Sequence, residues 1–358
     1  MDLVHSLARR IEGRVKVINF CGTHEHTVSR YGLRSLMPSN VELVAGPGCP
    51  VCVTPSRAIE YCIKLATEGF TIITFGDVVR VPTIRSVEGM NSLLDAKRAG
   101  YDVRIVYSFL DATKIARELG KQCIFLAIGF ETTVPGYASL LSLGKVPRNL
   151  LIMSVARLTP PIMRYVVELH RDALREERIG VIAPGHVSTI VGASTWSFLP
   201  QEYGVPTVVA GFEPLDVLVA IAEILRMFVE KRIGIVNEYR RAVTWNGNLY
   251  ARKLIEEVFE VVDAWWRGIG MVPSSGLVLR DRYREWCAYR ELGLEHPIDD
   301  ELEVRGCRCG DVLLGLAKPV DCPNFGRGCR PEHPLGPCMV SSEGSCRIWY
   351  EYGAMLEI

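Results

Sequence analysis

The sequence predicts an α/β fold with two similar parallel-sheet α/β domains plus a small cysteine-rich domain. Three observations support this prediction. Eight short apolar runs alternate with helical stretches, and the loops that follow corresponding runs resemble each other. After Gly268 the composition shifts towards Gly, Pro, Arg and Cys. The 358 residues are enough for two or three domains with a buried core.

The eight apolar runs are rich in Val, Ile and Leu. They lack strict alternation, which is typical of strands covered on both faces in parallel sheets. The predicted strands are residues 15–20, 41–45, 71–75, 103–107, 122–128, 150–155, 179–183 and 206–210. The first four are assigned to one domain, residues 1–120, and the last four to a second domain, residues 121–235.

Similar loops suggest that the second domain repeats the first. Residues 20–27 correspond to 129–134, and residues 108–112 correspond to 211–216. Unusual polar residues follow the predicted strands, and ligands of open α/β sheets bind beyond the carboxyl ends of strands. We therefore expect one cleft there. Its candidate catalytic residues are Cys21, His24, Cys49, Cys52, Glu131 and His186, with Asp77, Thr132 and Glu213 nearby.

Two long helices are predicted after the second domain, over residues 213–233 and 238–267. Residues 236–358 are predicted to form a helical connector and the cysteine-rich domain. Trp245, Trp265 and Trp266 are expected to pack against the α/β domains.

Composition and charge argue against several classes of protein. Apolar residues make up 48% of the chain, and 41 basic residues balance 41 acidic ones. This balance indicates neither a nucleic-acid nor an anionic-membrane partner. No charge-free apolar run reaches the length of about 18 residues that a transmembrane helix needs, and the N-terminus lacks the pattern of a signal peptide. We expect a cytoplasmic protein with no nucleic-acid or membrane partner.

The 12 cysteines form two groups, and the C-terminal group indicates a metal centre. Cys322, Cys329, Cys338 and Cys346 are separated by six, eight and seven residues. Four thiolates can hold a 4Fe–4S cluster, whereas zinc usually takes closer pairs. An iron–sulfur domain is therefore predicted, with zinc and disulfides as alternatives. Cys307 and Cys309 remain open as other ligands, a redox pair or a buried pair.

In the N-terminal group, Cys49 and Cys52 form a Cys-x-x-Cys pair. The pair follows a predicted strand and precedes a helix predicted to begin near Pro55 and Ser56. At a helix N-terminus the thiol pKa is lowered, and such a pair can open and close a disulfide. Half of a zinc site is the alternative.

Cys21, His24 and His26 lie within six residues at the end of the first strand. Thiol and imidazole together suit iron or zinc, although the His-Glu-x-x-His spacing of metalloproteases is absent. Alternatively, both histidines cap the next helix. Glu131 is a candidate for proton transfer.

Seven motifs occur in order along the chain. They are Cys-Gly-Thr-His-Glu-His-Thr (21–27), Gly-Pro-Gly-Cys-Pro-Val-Cys-Val-Thr-Pro (46–55), Phe-Gly-Asp-Val-Val-Arg-Val-Pro (75–82), Gly-Phe-Glu-Thr-Thr (129–133), Pro-Gly-His-Val-Ser (184–188), Ala-Gly-Phe-Glu-Pro (210–214) and Met-Val-Ser-Ser-Glu-Gly-Ser-Cys (339–346). With these motifs the chain resembles the HypD family of nickel–iron hydrogenase maturation factors.

The resemblance implies a cytoplasmic assembly scaffold rather than a free-standing turnover enzyme. On such a scaffold, with a small HypC-type chaperone and the cyanide donor HypE, an iron carrying two cyanides and one carbon monoxide is assembled. It implies that Cys21 and His24 hold this iron and that Cys49 and Cys52 are the redox-active pair. It also implies that Cys322, Cys329, Cys338 and Cys346 hold a 4Fe–4S cluster.

Two other functions remain open at this point. The chain could be a stand-alone thiol–disulfide oxidoreductase with an iron–sulfur cluster as electron donor, or a zinc-stabilised interaction module without a redox role.

Overall fold

A computed structural model describes residues 1–170 and 177–353. Two parallel sheets carry helices on their faces, which confirms the α/β class, and a cysteine-rich segment follows near the C-terminus. The last five residues of the predicted C-terminal domain lie outside the described residues. Within the described part of the chain, no helix is long and apolar enough to cross a bilayer.

Eight strands, β1 to β8, occur where the apolar runs predict them. Three further strands, β9 to β11, follow later in the chain. In chain order the strands are β1 (Arg14–Asn19), β2 (Val41–Ala45), β3 (Thr71–Phe75), β4 (Val103–Val106), β5 (Cys123–Ala127), β6 (Leu150–Ser154), β7 (Glu177–Pro184), β8 (Thr207–Ala210), β9 (Ile235–Asn237), β10 (Phe259–Trp266) and β11 (Gly270–Leu279). All eight predicted strands are present, within two residues at each end.

The α-helices lie mainly between consecutive strands, as parallel pairing requires. They are α1 (Asp2–Ala8), α2 (Gly22–Arg30), α3 (Ser56–Thr67), α4 (Leu93–Arg98), α5 (Phe109–Leu119), α6 (Val134–Ser142), α7 (Thr159–Leu169), α8 (Gly185–Val191), α9 (Phe198–Tyr203), α10 (Pro214–Glu230), α11 (Leu249–Val258), α12 (Ala288–Glu291), α13 (Cys309–Leu313) and α14 (Ser345–Ile348).

The two sheets are not the first and second halves of the chain. Sheet A has the order β2-β1-β7-β8-β9, and sheet B has the order β4-β3-β5-β6. The chain begins in sheet A, builds all of sheet B and then returns. The predicted division at residue 120 is therefore wrong for the strands, because an apolar run specifies burial on both faces but not which strand becomes its neighbour.

The predicted helix over 213–233 is confirmed as α10, but the helix predicted over 238–267 is wrong. Only α11 is helical there, and β10 continues directly into an antiparallel hairpin with β11. Residues 259–266 are mainly aromatic and β-branched, which favours a strand. Trp266 is fully buried as expected, whereas Trp245 is 53% exposed.

The hairpin of β10 and β11 packs between sheet B and the cysteine-rich tail. Its β11 side bonds to the chain after β6, where the Leu277 amide donates to the Ala156 carbonyl. At its tip, the Gly268 amide donates to the Leu302 carbonyl. One buried core continues from sheet B through the hairpin to the tail cysteines. The tail is thereby held by the α/β body.

Candidate metal and redox site

Cys21 lies where β1 ends and is the N-cap residue of α2. Burial, with a smaller contribution from the Glu343 carboxylate, raises the pKa of its thiol to about 11. The nearby backbone amides of His24 and Thr23 oppose this rise. The thiol is therefore protonated at neutral pH, and a bound cation would displace its proton.

His24 is fully buried on the first turn of α2. Its Nε2 lies 2.8 Å from the carbonyl oxygen of Gly211, and its Nδ1 has no hydrogen-bond partner among the described residues. Burial lowers the pKa of the imidazole to about 4. The ring is thus neutral. With Nε2–H donated to the carbonyl, Nδ1 keeps its lone pair, as in many metal-ligating histidines.

His186 is brought beside His24 at the same edge of sheet A. The Phe212 ring stacks on His186 with 3.9 Å between centroids and on His24 with 4.7 Å. Burial lowers the pKa of His186 as well. His26 instead meets the Tyr352 ring edge-on, with 5.1 Å between centroids. The His24 ring hydrogen-bonds to the carbonyl oxygens of Ala210 and Gly211 rather than to the amides at the α2 N-terminus.

Cys49 and Cys52 form a disulfide, and both residues are buried. Their loop follows β2, the neighbour of β1, so it reaches Cys21. A Cβ added to Gly48 would lie 2.5 Å from the Cys21 Cα, and the Gly22 amide lies 3.4 Å from the Gly48 carbonyl oxygen. The disulfide loop and the Cys21 loop therefore touch through their backbones.

The disulfide precedes α3 and does not occupy its first turn. α3 begins at Ser56, after three intervening residues. Its N-terminal amides are taken by Asp299, whose carboxylate accepts from Ser56 (3.0 Å) and Arg57 (2.7 Å). These amides at the N-terminus of α3 therefore bind a carboxylate rather than a cysteine sulfur.

Residues of the C-terminal motif cover Cys21 from the other side. A Cβ added to Gly22 would lie 2.5 Å from the Glu343 carbonyl oxygen. The Trp349 indole N–H donates to the buried Glu25 carboxylate over 2.7 Å, and Arg34 pairs with the same carboxylate. The tail and α2 are thus joined around Cys21.

Six tail cysteines gather in one place. The Cys309 side chain interacts with those of Cys307, Cys338 and Cys346, and Cys329 interacts with Cys307 and Cys322. The four predicted ligands are therefore together. The structure adds Cys307 and Cys309, whose role the sequence left open.

The donor set in the tail fits a metal centre. The sulfurs of Cys307 and Cys309 and a carboxylate oxygen of Glu303 lie within 4.8 Å of one another. A Cβ added to Gly336 would lie 2.7 Å from the Cys309 sulfur and 2.8 Å from the Cys307 sulfur, so glycine leaves space against the thiols. Clustered thiols of this kind suit an iron–sulfur cluster.

Glu131 lies beyond β5 at the edge of sheet B and is almost fully buried. It accepts hydrogen bonds from the Thr159 amide (2.7 Å) and hydroxyl (2.8 Å) at the start of α7. Burial raises the pKa of its carboxyl to about 7. Within the described residues it has no hydrogen bond or ion pair to the Cys21 and His24 group.

The sequence matches the family model of HypD, described as the hydrogenase formation hypA family, over residues 1–353. It is 43% identical over 346 residues to hydrogenase maturation factor HypD2 of Bradyrhizobium diazoefficiens, covering 94% of this chain and 89% of that protein. Identity is 41% over 353 residues to hydrogenase maturation factor HypD of Cupriavidus necator, with 96% and 91% covered. It is also 41% over 348 residues to hydrogenase maturation factor HypD of Azotobacter vinelandii, with 94% and 89% covered.

Proposed function

Because the chain belongs to the HypD family of hydrogenase maturation factors, we propose that it is the redox-active scaffold on which the Fe(CN)2CO centre is assembled. A HypC-type small chaperone and a HypE cyanide donor are its proposed partners, and the cytoplasm its proposed location. The observation that best supports this proposal is the backbone contact between the Cys21 loop and the Cys49–Cys52 loop.

The iron under assembly is the substrate, and Cys21 and His24 are its proposed ligands. The Cys21 thiol gives up its proton when it binds iron, which offsets the cost of burying the thiolate. The Gly211 carbonyl fixes the His24 ring through Nε2, so Nδ1 is the nitrogen left for the metal. His186, stacked through Phe212, is proposed to move protons at the exposed side of this group.

The Cys49–Cys52 disulfide is the proposed electron-accepting pair beside the substrate. Opening it takes two electrons and two protons and yields two thiols. Glu131 is a proposed proton carrier at the neighbouring sheet edge, because a carboxyl with a pKa of about 7 both holds and releases a proton near neutral pH.

Cys322, Cys329, Cys338 and Cys346 are the proposed ligands of a resident 4Fe–4S cluster. When bound, such a cluster supplies electrons at low potential. Cys307 interacts with Cys309, and both Cys329 and Cys346 lie near it. Cys307 and Cys309 are therefore the alternative ligands.

The decisive variant is Cys21→Ala in the full chain, produced without oxygen in cells that depend on it for hydrogenase maturation. We expect no active hydrogenase, while the purified variant keeps iron and acid-labile sulfide at about four each per chain. Cys62→Ala is the matched control, because Cys62 is also a buried cysteine and its thiol donates to the Met153 sulfur. Full maturation with Cys21→Ala would refute the scaffold proposal.

Infrared spectra test the substrate directly. Cyanide and carbonyl stretches are expected in the complex of this chain with its chaperone and should be absent with Cys21→Ala.

The stand-alone oxidoreductase remains a second candidate because the disulfide is present. Both cysteines are buried, which argues against thiol–disulfide exchange between this pair and a free small-molecule substrate. Sustained turnover with small disulfides and no partner protein would favour it. Zinc without sulfide in the purified chain would favour the interaction module.

A further inference from the structure

Arg157 follows β6 and is buried without a carboxylate partner. Its Nη1 donates to the Ala156 carbonyl over 3.2 Å and its Nη2 to the Trp265 carbonyl over 2.7 Å. Its Nε has no hydrogen-bond partner among the described residues. A guanidinium remains protonated in proteins, and a buried charge without a counter-charge is costly.

The carboxylates in this part of the fold form hydrogen bonds to other groups. Asp299 caps α3, Glu131 binds Thr159, and the exposed Asp263 accepts from the Ser274 amide. Among residues 1–170 and 177–353, none forms an ion pair with Arg157. The Asp299 carboxylate is close enough to attract the positive charge of Arg157, but within the described chain this charge has no direct ion-pair partner.

A cavity of about 70 Å³ lies beside this guanidinium, between the end of β6 and the hairpin of β10 and β11. Its lining includes the polar residues Arg157, Trp265, His296 and Ser154 and one acidic residue, Asp263, whose carboxylate already accepts from the Ser274 amide. The indole Nε1 of Trp265 is a second buried donor without a partner. Burial lowers the pKa of His296, and its ring lies 4.7 Å from that of Tyr289.

The position also suits a ligand. The cavity lies at the carboxyl edge of sheet B, where parallel α/β sheets bind their ligands. Its volume is several times the space that one water molecule needs. It is too small for a nucleotide.

We propose that this cavity binds a small oxyanion of the carboxylate class, held by the Arg157 guanidinium and the Trp265 indole N–H. The planar guanidinium matches the two oxygens of a carboxylate. The bound anion forms an ion pair with Arg157 and connects the end of β6 to the hairpin of β10 and β11. This inference does not rest on the proposed assembly of the iron centre.

The test is calorimetric titration of the full chain, purified without oxygen, with sodium formate at constant ionic strength set by sodium chloride. We expect saturable binding of one formate per chain and a higher Tm at saturation. Arg157→Gln should abolish both effects. Arg148→Gln is the control, because Arg148 is exposed and stacks on Trp286 outside the cavity.

Trp265→Phe keeps most of the ring and removes the N–H, so it should weaken formate binding about tenfold or more. If Arg157→Gln does not fold, formate binding by Trp265→Phe tests the proposal instead. The proposal is overturned if formate does not bind saturably, or if both variants bind it as the wild type does. Tighter binding of inorganic phosphate than of formate would overturn the carboxylate class.

Discussion

Arg267 and Glu303 form a buried ion pair that joins the disulfide loop to the cysteine-rich tail. Arg267 Nη2 lies 3.1 Å from Glu303 Oε2, and the Arg267 side chain is completely buried. The Arg267 amide donates to the carbonyl of Val53, the residue after Cys52. Glu303 in turn lies within 4.8 Å of the sulfurs of Cys307 and Cys309. One residue pair therefore connects the disulfide loop to the cysteine-rich tail.

Arg267→Met is expected to lower the free energy of unfolding by about 3–5 kcal/mol, because it leaves the Glu303 carboxylate buried and unpaired. Urea unfolding followed by circular dichroism measures this. Arg226→Met, which breaks the surface pair with Glu223, should cost about 1 kcal/mol or less.

Combining Arg267→Met with Glu303→Leu should restore much of that stability, since removing both charges leaves no unpaired group. A double variant as unstable as Arg267→Met alone would contradict this account.

Glu131→Gln should change how stability depends on pH. Burial raises the carboxyl pKa from 4.5 to about 7 in the folded chain, so between these values the folded state binds more protons than the unfolded state. Stability therefore falls as pH rises through this window. The wild type should lose about 2–3 kcal/mol relative to Glu131→Gln between pH 5 and pH 8.

Urea unfolding at several pH values tests this difference. Glu118→Gln, at an exposed position on α5, should follow the wild type throughout. If the free energies of unfolding of the wild type and of Glu131→Gln change with pH in the same way, the raised pKa of Glu131 is contradicted.

Gly48→Ala should disturb the contact between the disulfide loop and Cys21. The new methyl group would lie 2.5 Å from the Cys21 Cα, and backbone cannot rotate away as a side chain does. We expect a loss of about 1–3 kcal/mol and reduced hydrogenase maturation. Gly136→Ala in α6 meets open space and should stabilise the chain by about 0.5–1 kcal/mol. Wild-type maturation with Gly48→Ala would show that this contact is dispensable.

Replacing both Cys49 and Cys52 by Ala should affect maturation much more than stability. The disulfide spans a sequence separation of three, and closing so short a loop contributes about 2 kcal/mol. By urea unfolding, the double variant and the chemically reduced wild type should each be less stable than the oxidised wild type by no more than that amount. Unfolding of both proteins in the absence of urea would indicate a structural disulfide instead.

The strands were predictable because buried parallel strands carry continuous apolar runs, as in residues 150–154. Their pairing was not, because the partners of β1 include β7, whose residues lie more than 150 positions away in the sequence. The boundary between α11 and β10 was missed because Val258, Val261 and Val262 also fit a helical spacing.

The position of the candidate site was more predictable than its contacts. Cys21 and Cys49 follow adjacent strands, so their proximity follows from the rule that ligand sites lie at carboxyl ends. The role of Gly48 and the bridge through Arg267 depend on backbone approach and on long-range packing. Neither leaves a local signal in the sequence.

The order of the strands also has a consequence for synthesis. Sheet B uses only residues 71–154, so all of its strands have left the ribosome while β1 still lacks its neighbour β7. The Cys21 edge of sheet A is completed only when residues 177–210 emerge, and its cover only when Glu343 does. The surroundings of Cys21 are thus completed only after nearly the whole chain has been synthesised.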